Sequence, residues 1–174
     1  MNISSSHNAL RKQIFLGLLI AIATGIGFIE NMMPLPIAMP GARLGLSNVV
    51  IVTTMVVFGR RDAIAVALTK SLVLMLVTGA VTSFFYSFAG ALLSSVVMAL
   101  AFERLPRVSL IGISLLGSAF HNVGQVATAM FMVHNVGLIN YLPALLLLGI
   151  FTGIFVGHTA NILSRHLLSL HIVR

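Results

Sequence analysis

Long apolar runs separated by short charged clusters organise this chain. Arg11-Lys12, Arg60-Arg61-Asp62, Glu103-Arg104 with Arg107, and Arg165 with Arg174 punctuate its 174 residues. A bilayer is crossed by roughly 20 apolar residues in a helix, and the runs between clusters are long enough to cross once or twice. The pattern predicts six helical spans, over residues 13–29, 44–58, 63–77, 83–102, 110–133 and 141–163. Backbone facing lipid must satisfy its own hydrogen bonds, which leaves helices or a closed barrel. The alternation a barrel strand requires is absent. The expected organisation is an N-terminal segment over 1–12, a transmembrane domain over 13–165 and a C-terminal tail over 166–174.

The charges also set an orientation. With the N-terminus in the cytoplasm, eight of the ten basic residues fall on the cytoplasmic side. Arg43 falls outside and Lys70 lies within a span. That bias predicts a compact all-α bundle of six transmembrane helices with both ends inside, as a multi-pass protein of a bacterial cytoplasmic membrane.

Composition agrees. Hydrophobic residues make up 59% and charged residues 7%, with a mean hydropathy of +1.10. Soluble domains carry about 25% charged residues. The net charge of +7 is spread over helix ends rather than gathered on one face. It reads as a topology signal and a contact for anionic lipid headgroups, not as a nucleic-acid surface. The absence of Cys removes disulfides, thiolate metal sites and Cys nucleophiles.

Ionisable groups inside a membrane are costly and mark functional sites. Glu30 ends the first span. It is either a solvated helix end, a partner for Arg43, or a ligand contact. Arg43 precedes the second span, where a cation opposes the helix dipole, so a carboxylate, a lipid phosphate or an anionic substrate should hold it. Lys70 lies in mid-span and either snorkels to an interface or finds a partner in the bundle; Asn48 is a neutral option. His121, Gln125 and Thr128 share one face of the fifth span, with Asn122 rotated from it. They serve either as interhelical hydrogen bonds or as a solute site. Ser83, Tyr86, Ser87 and Tyr141 sit at outer helix ends, the tyrosines in positions suited to an interface belt. The connection over 31–43 holds three prolines yet is mostly apolar; it is either a plain connector or a lid. Small residues recur at four-residue spacing, Gly17, Ala21 and Gly25 in the first span and Ala63 and Ala67 in the third. They suit close helix packing, within the bundle or against another subunit.

Several chemistries lack their residues. A phosphate-binding Walker loop is missing, so ATP use would belong to a partner. Neither an acidic pair for Mg²⁺ on a diphosphate nor a pair of His at metal-ligand spacing is present. The expectation is a non-enzyme without cofactor or metal.

Two motifs carry a resemblance. Pro40-Gly-Ala-Arg-Leu-Gly-Leu-Ser-Asn48 resembles a pattern of the substrate-binding S components of energy-coupling factor (ECF) transporters. Gly117-Ser-Ala-Phe-His-Asn-Val-Gly-Gln125 resembles the Gx transporter family, also catalogued as heptaprenyl diphosphate synthase component I. The resemblance spans residues 13–165. It implies a six-helix bundle whose first loop covers an outward-facing solute site. Glu30, Arg43, Tyr86, His121, Asn122, Gln125 and Tyr141 would surround a small or lipid-like solute. Gly17, Ala21, Gly25, Ala63 and Ala67 would face a transmembrane coupling subunit that carries cytoplasmic ATPases. Asn48 and Lys70 would be structural. Two alternatives stay open: a non-catalytic membrane component assisting heptaprenyl diphosphate or menaquinone synthesis, and a lipid-modifying enzyme using His121 and Glu30.

Overall fold

A computed structural model describes residues 3–33 and 42–170. The proposed lid falls largely on residues 34–41, outside the described residues. Six α-helices follow in order: α1 (Ile3–Met32), α2 (Asn48–Val57), α3 (Arg60–Thr78), α4 (Val81–Arg104), α5 (Leu110–Val133) and α6 (Leu142–Ser169), with a 3₁₀ turn over Val136–Tyr141 before α6. Among the described residues there is no strand. Helix α1 starts inside the expected N-terminal segment, and α6 runs past the expected end of the domain.

Four stretches are long and apolar enough to cross a membrane: Ala9–Met32, Val81–Arg104, Leu110–Val133 and Val136–Ser169. Helix α3 carries Arg60, Arg61, Asp62 and Lys70 and falls short on composition. Helix α2 is shorter than the expected 44–58. Its 10 residues rise about 15 Å, half the hydrocarbon thickness of about 30 Å. The reason lies at its start, where Gly45 adopts φ 79° and breaks the helix that residues 44–47 would otherwise begin.

Helix α2 forms the axis of the bundle. All of its residues but Val56 are buried, between α1, α3 and α6, with α4 and α5 touching it. A helix apolar on every side belongs in such a position. Helix α5 lies between α4 and α6, and glycines allow the close approach. A methyl group at Gly124 would stand 2.9 Å from the Ala89 carbonyl oxygen, and one at Gly157 would stand 2.5 Å from Cα of Ile111. The outer faces are apolar: Leu18, Ile22, Phe131, Leu147, Phe151 and Phe155 are all exposed. Patches of this extent suit lipid rather than water.

Ion pairs gather the basic clusters at one end. Lys12 on α1 meets Asp62 on α3 at 2.7 Å, and Arg60 on α3 pairs with Glu103 on α4. Three of the four charged clusters, at Arg11-Lys12, Arg60-Arg61-Asp62 and Glu103-Arg104, thus stand together.

The small-residue face needs a correction. Gly17, Ala21 and Gly25 line the exposed surface of α1, and nothing lies within 4 Å of a methyl group placed on either glycine. Ala63 and Ala67, in contrast, are 0% exposed and pack in the core with Val52, Met55 and Met98. They hold α3 against the bundle and offer no surface to another subunit. Ala67→Leu should therefore lower stability by about 1–3 kcal/mol, the usual cost of overpacking. The chain has neither Trp nor Cys, so loss of helical circular dichroism on heating is the suitable readout.

Candidate ligand-binding site

At the end away from the ion pairs, α1 gives way to the start of α2. Glu30 is buried there, at 6% exposure, which excludes the solvated-end reading. Its Oε1 accepts the Leu46 N–H at 2.9 Å and its Oε2 accepts the Ser47 N–H at 3.4 Å. These amides open the turn that leads into α2, where the Asn48 N–H reaches the Gly45 carbonyl at 2.9 Å. A carboxylate is favoured at a helix N-terminus by the dipole and by charge-assisted hydrogen bonds. Glu30 anchors α2 from the neighbouring helix. The Glu30–Arg43 ion pair, one of the alternatives left open, does not form: the pairs among the described residues are Lys12–Asp62 and Arg60–Glu103.

Arg43 is held by neutral groups instead. Its Nη1 donates to Ser87 Oγ at 3.1 Å, and its Nη2 donates to Ser83 Oγ at 2.9 Å and to Asn31 Oδ1 at 3.5 Å. Its main chain is pinned by Gln125, whose Oε1 accepts the Arg43 N–H at 2.9 Å while its Nε2 donates to the Arg43 carbonyl at 3.1 Å. That two-point pairing copies a rung of a β-ladder and ties the loop to α5. The Nε of Arg43 has no partner among the described residues.

Lys70 does not snorkel. It is 2% exposed and its Nζ donates to Ser47 Oγ at 2.5 Å. Asn48 and His121 meet across Gly45. A methyl group there would stand 3.0 Å from Asn48 Nδ2 and 3.4 Å from His121 Cδ2, so the lack of a side chain at Gly45 also leaves room for the imidazole. His121 is 2% exposed. Its Nδ1 lies against Gly90 of α4, 3.0 Å from where a methyl group there would stand, while its Nε2 and Asn48 Oδ1 have no partner among the described residues.

The structure thus unites Glu30, Arg43, His121 and Gln125, and adds Asn48 and Lys70, which were expected to serve structure alone. Asn122 turns away: its Nδ2 donates to the Leu145 carbonyl on α6 at 2.7 Å. Tyr86 packs in an apolar cluster with Val126, Ala129 and Leu145, with Tyr141 against its edge. Asn122 and the two tyrosines therefore brace the surroundings of the cluster. Ser47 is a contact that sequence reasoning missed. Ser83 and Ser87, one turn apart on α4, carry the only usable signal, since that spacing aims both hydroxyls at one neighbour. Among the described residues, no group of three or more His, Cys, Asp or Glu is placed to hold a metal ion.

No curated protein and no solved structure matches this chain. The model of one family, described as heptaprenyl diphosphate synthase component I, matches residues 19–163. That match takes in α2 to α5, the C-terminal part of α1, most of α6, and every residue of the buried cluster. The chain belongs to the heptaprenyl diphosphate synthase component I family.

Proposed function

We propose that this protein is a membrane-embedded solute-binding subunit, similar to the S components of ECF transporters. It captures a small molecule from the outer side of a bacterial cytoplasmic membrane, and partner ATPases acting through a transmembrane coupling subunit power its import. One observation carries this reading: Glu30, Arg43, Lys70 and His121 are buried together at one end of an apolar bundle, where ionisable groups are costly and mark a solute path. All six helices cross or enter the membrane with both ends inside, the short α2 completing its passage through the non-helical residues before it. The exposed stripe of Gly17, Ala21 and Gly25 is the docking face. Chemistry is assigned to partners, because Mg²⁺ on a diphosphate needs clustered carboxylates. Asp62 and Glu103 are engaged at the far end, and Glu30 holds two amides.

The family description favours a second reading, a non-catalytic membrane partner of a prenyl diphosphate synthase. Native mass spectrometry of the gently purified protein separates the two. A copurifying coupling subunit with ATPases, or a discrete retained solute, supports transport. A copurifying soluble prenyl synthase with no solute supports the second reading and sinks the first. Gly25→Leu should weaken capture of the coupling subunit by about tenfold, equivalent to about 1.4 kcal/mol, and leave the melting temperature unchanged. A lowered melting temperature with unchanged capture would show that α1 uses this face for packing instead.

A further inference from the structure

The buried cluster carries more positive charge than the chain can balance. Only three acidic side chains exist in the whole sequence: Glu30, Asp62 and Glu103. Asp62 pairs with Lys12 and Glu103 with Arg60 at the opposite end. Glu30 alone remains, against Arg43 and Lys70, which are 5% and 2% exposed. Their hydrogen-bond partners are hydroxyls and an amide. The stretch Pro34–Gly41 adds no acidic residue. A buried charge without a counter-charge is among the costliest arrangements in a protein interior, and lipid makes the same demand. A second negative charge to match them is absent from the chain.

We propose that the cluster binds an anionic group, a carboxylate or a phosphate, against Lys70 and Arg43 along residues 43–48. Lys70 fills one of its three N–H donors with Ser47. The Nε–H of Arg43, Nε2 of His121 and Oδ1 of Asn48 are buried with no partner among the described residues. All of these groups border the same turn: Ser47 and Asn48 belong to it, His121 packs on Gly45, and Arg43 begins it. The acceptor on Asn48 selects a ligand with an N–H or hydroxyl beside its anionic group. This inference rests on the solute-binding reading and names the class of solute.

The test uses the full-length protein in phosphatidylcholine nanodiscs, with sodium phosphate and sodium acetate titrated against sodium chloride of matched ionic strength. Melting is followed by circular dichroism. One of the two oxyanions should raise the melting temperature saturably, by about 5 °C at roughly a hundredfold excess over its dissociation constant. Lys70→Met should abolish that shift and, free of its unbalanced charge, melt no lower than the wild type without oxyanion. Arg43→Gln provides a second variant if Lys70→Met does not fold, and it too should lose the shift. Equal stabilisation in phosphatidylglycerol nanodiscs without added oxyanion, lost in Lys70→Met, would keep the anionic group and assign it to a lipid headgroup. Failure of both oxyanions and of anionic lipid to move the wild-type melt overturns the proposal, whatever subunits copurify. Loss of the coupling subunit alone overturns transport and leaves the anion site standing.

Discussion

Glu30→Leu should leave little folded protein. Leucine supplies no acceptor to the Leu46 and Ser47 amides that the carboxylate now holds at 2.9 and 3.4 Å, and it removes the one negative charge facing Arg43 and Lys70. Breaking a buried charged arrangement from one side costs about 3–5 kcal/mol, a large share of a typical folding stability of about 5–15 kcal/mol. The expected result is a sharply reduced yield after size exclusion and early loss of helical circular dichroism. Glu30→Gln separates the causes. Its carbonyl oxygen still accepts one amide, so the start of α2 keeps part of its anchor while the charge is lost. It should sit between wild type and leucine in stability. Its uncompensated cations should also hold an added oxyanion more tightly than the wild type does, so stability and anion affinity change in opposite directions. A leucine variant with wild-type stability would show that α2 needs no anchor from α1.

Much of this architecture is legible in the sequence, because its causes are local or periodic. Clusters such as Arg60-Arg61-Asp62 mark where helices turn, and the apolar runs between them are the helices themselves. The contacts that were not legible all depend on residues far apart in the chain. Gly45 alone does not report that α2 starts at Asn48; that start also depends on the carboxylate of Glu30, sixteen residues before Leu46. The spacing of Ser83 and Ser87 points to one shared neighbour without saying which; that neighbour, Arg43, lies some forty residues earlier. The alanine spacing in α3 is ambiguous for a related reason. A small residue permits close approach but does not say to what, and α2 took the place that an outside subunit was expected to fill. Lys70 shows the same limit: its snorkelling and interior positions are equally compatible with its neighbours in sequence, and only Ser47 decides between them.

Gln125→Met should lower the melting temperature more than any other change on α5. Methionine is unbranched and close to glutamine in volume, so the cost of an empty cavity is small and the loss falls on hydrogen bonding. Gln125 is 0% exposed and pairs with both the N–H and the carbonyl of Arg43. Each buried backbone group left unpaired costs about 1–3 kcal/mol, so the pair accounts for about 2–6 kcal/mol. For a chain of this size that corresponds to a fall of roughly 5–20 °C. The consequence reaches beyond stability. With its backbone released, Arg43 keeps, among the described residues, the contacts to Ser83, Ser87 and Asn31, and the guanidinium loses its fixed position against the anion. Oxyanion stabilisation should therefore weaken together with the melt. A serine pair changed to alanine, Ser83→Ala with Ser87→Ala, should have the converse balance, a smaller loss of stability with a clear loss of oxyanion response. If Gln125→Met destabilises the protein and the oxyanion shift persists undiminished, Gln125 serves only to tie the loop to α5, and the guanidinium is positioned by the hydroxyls of α4 alone.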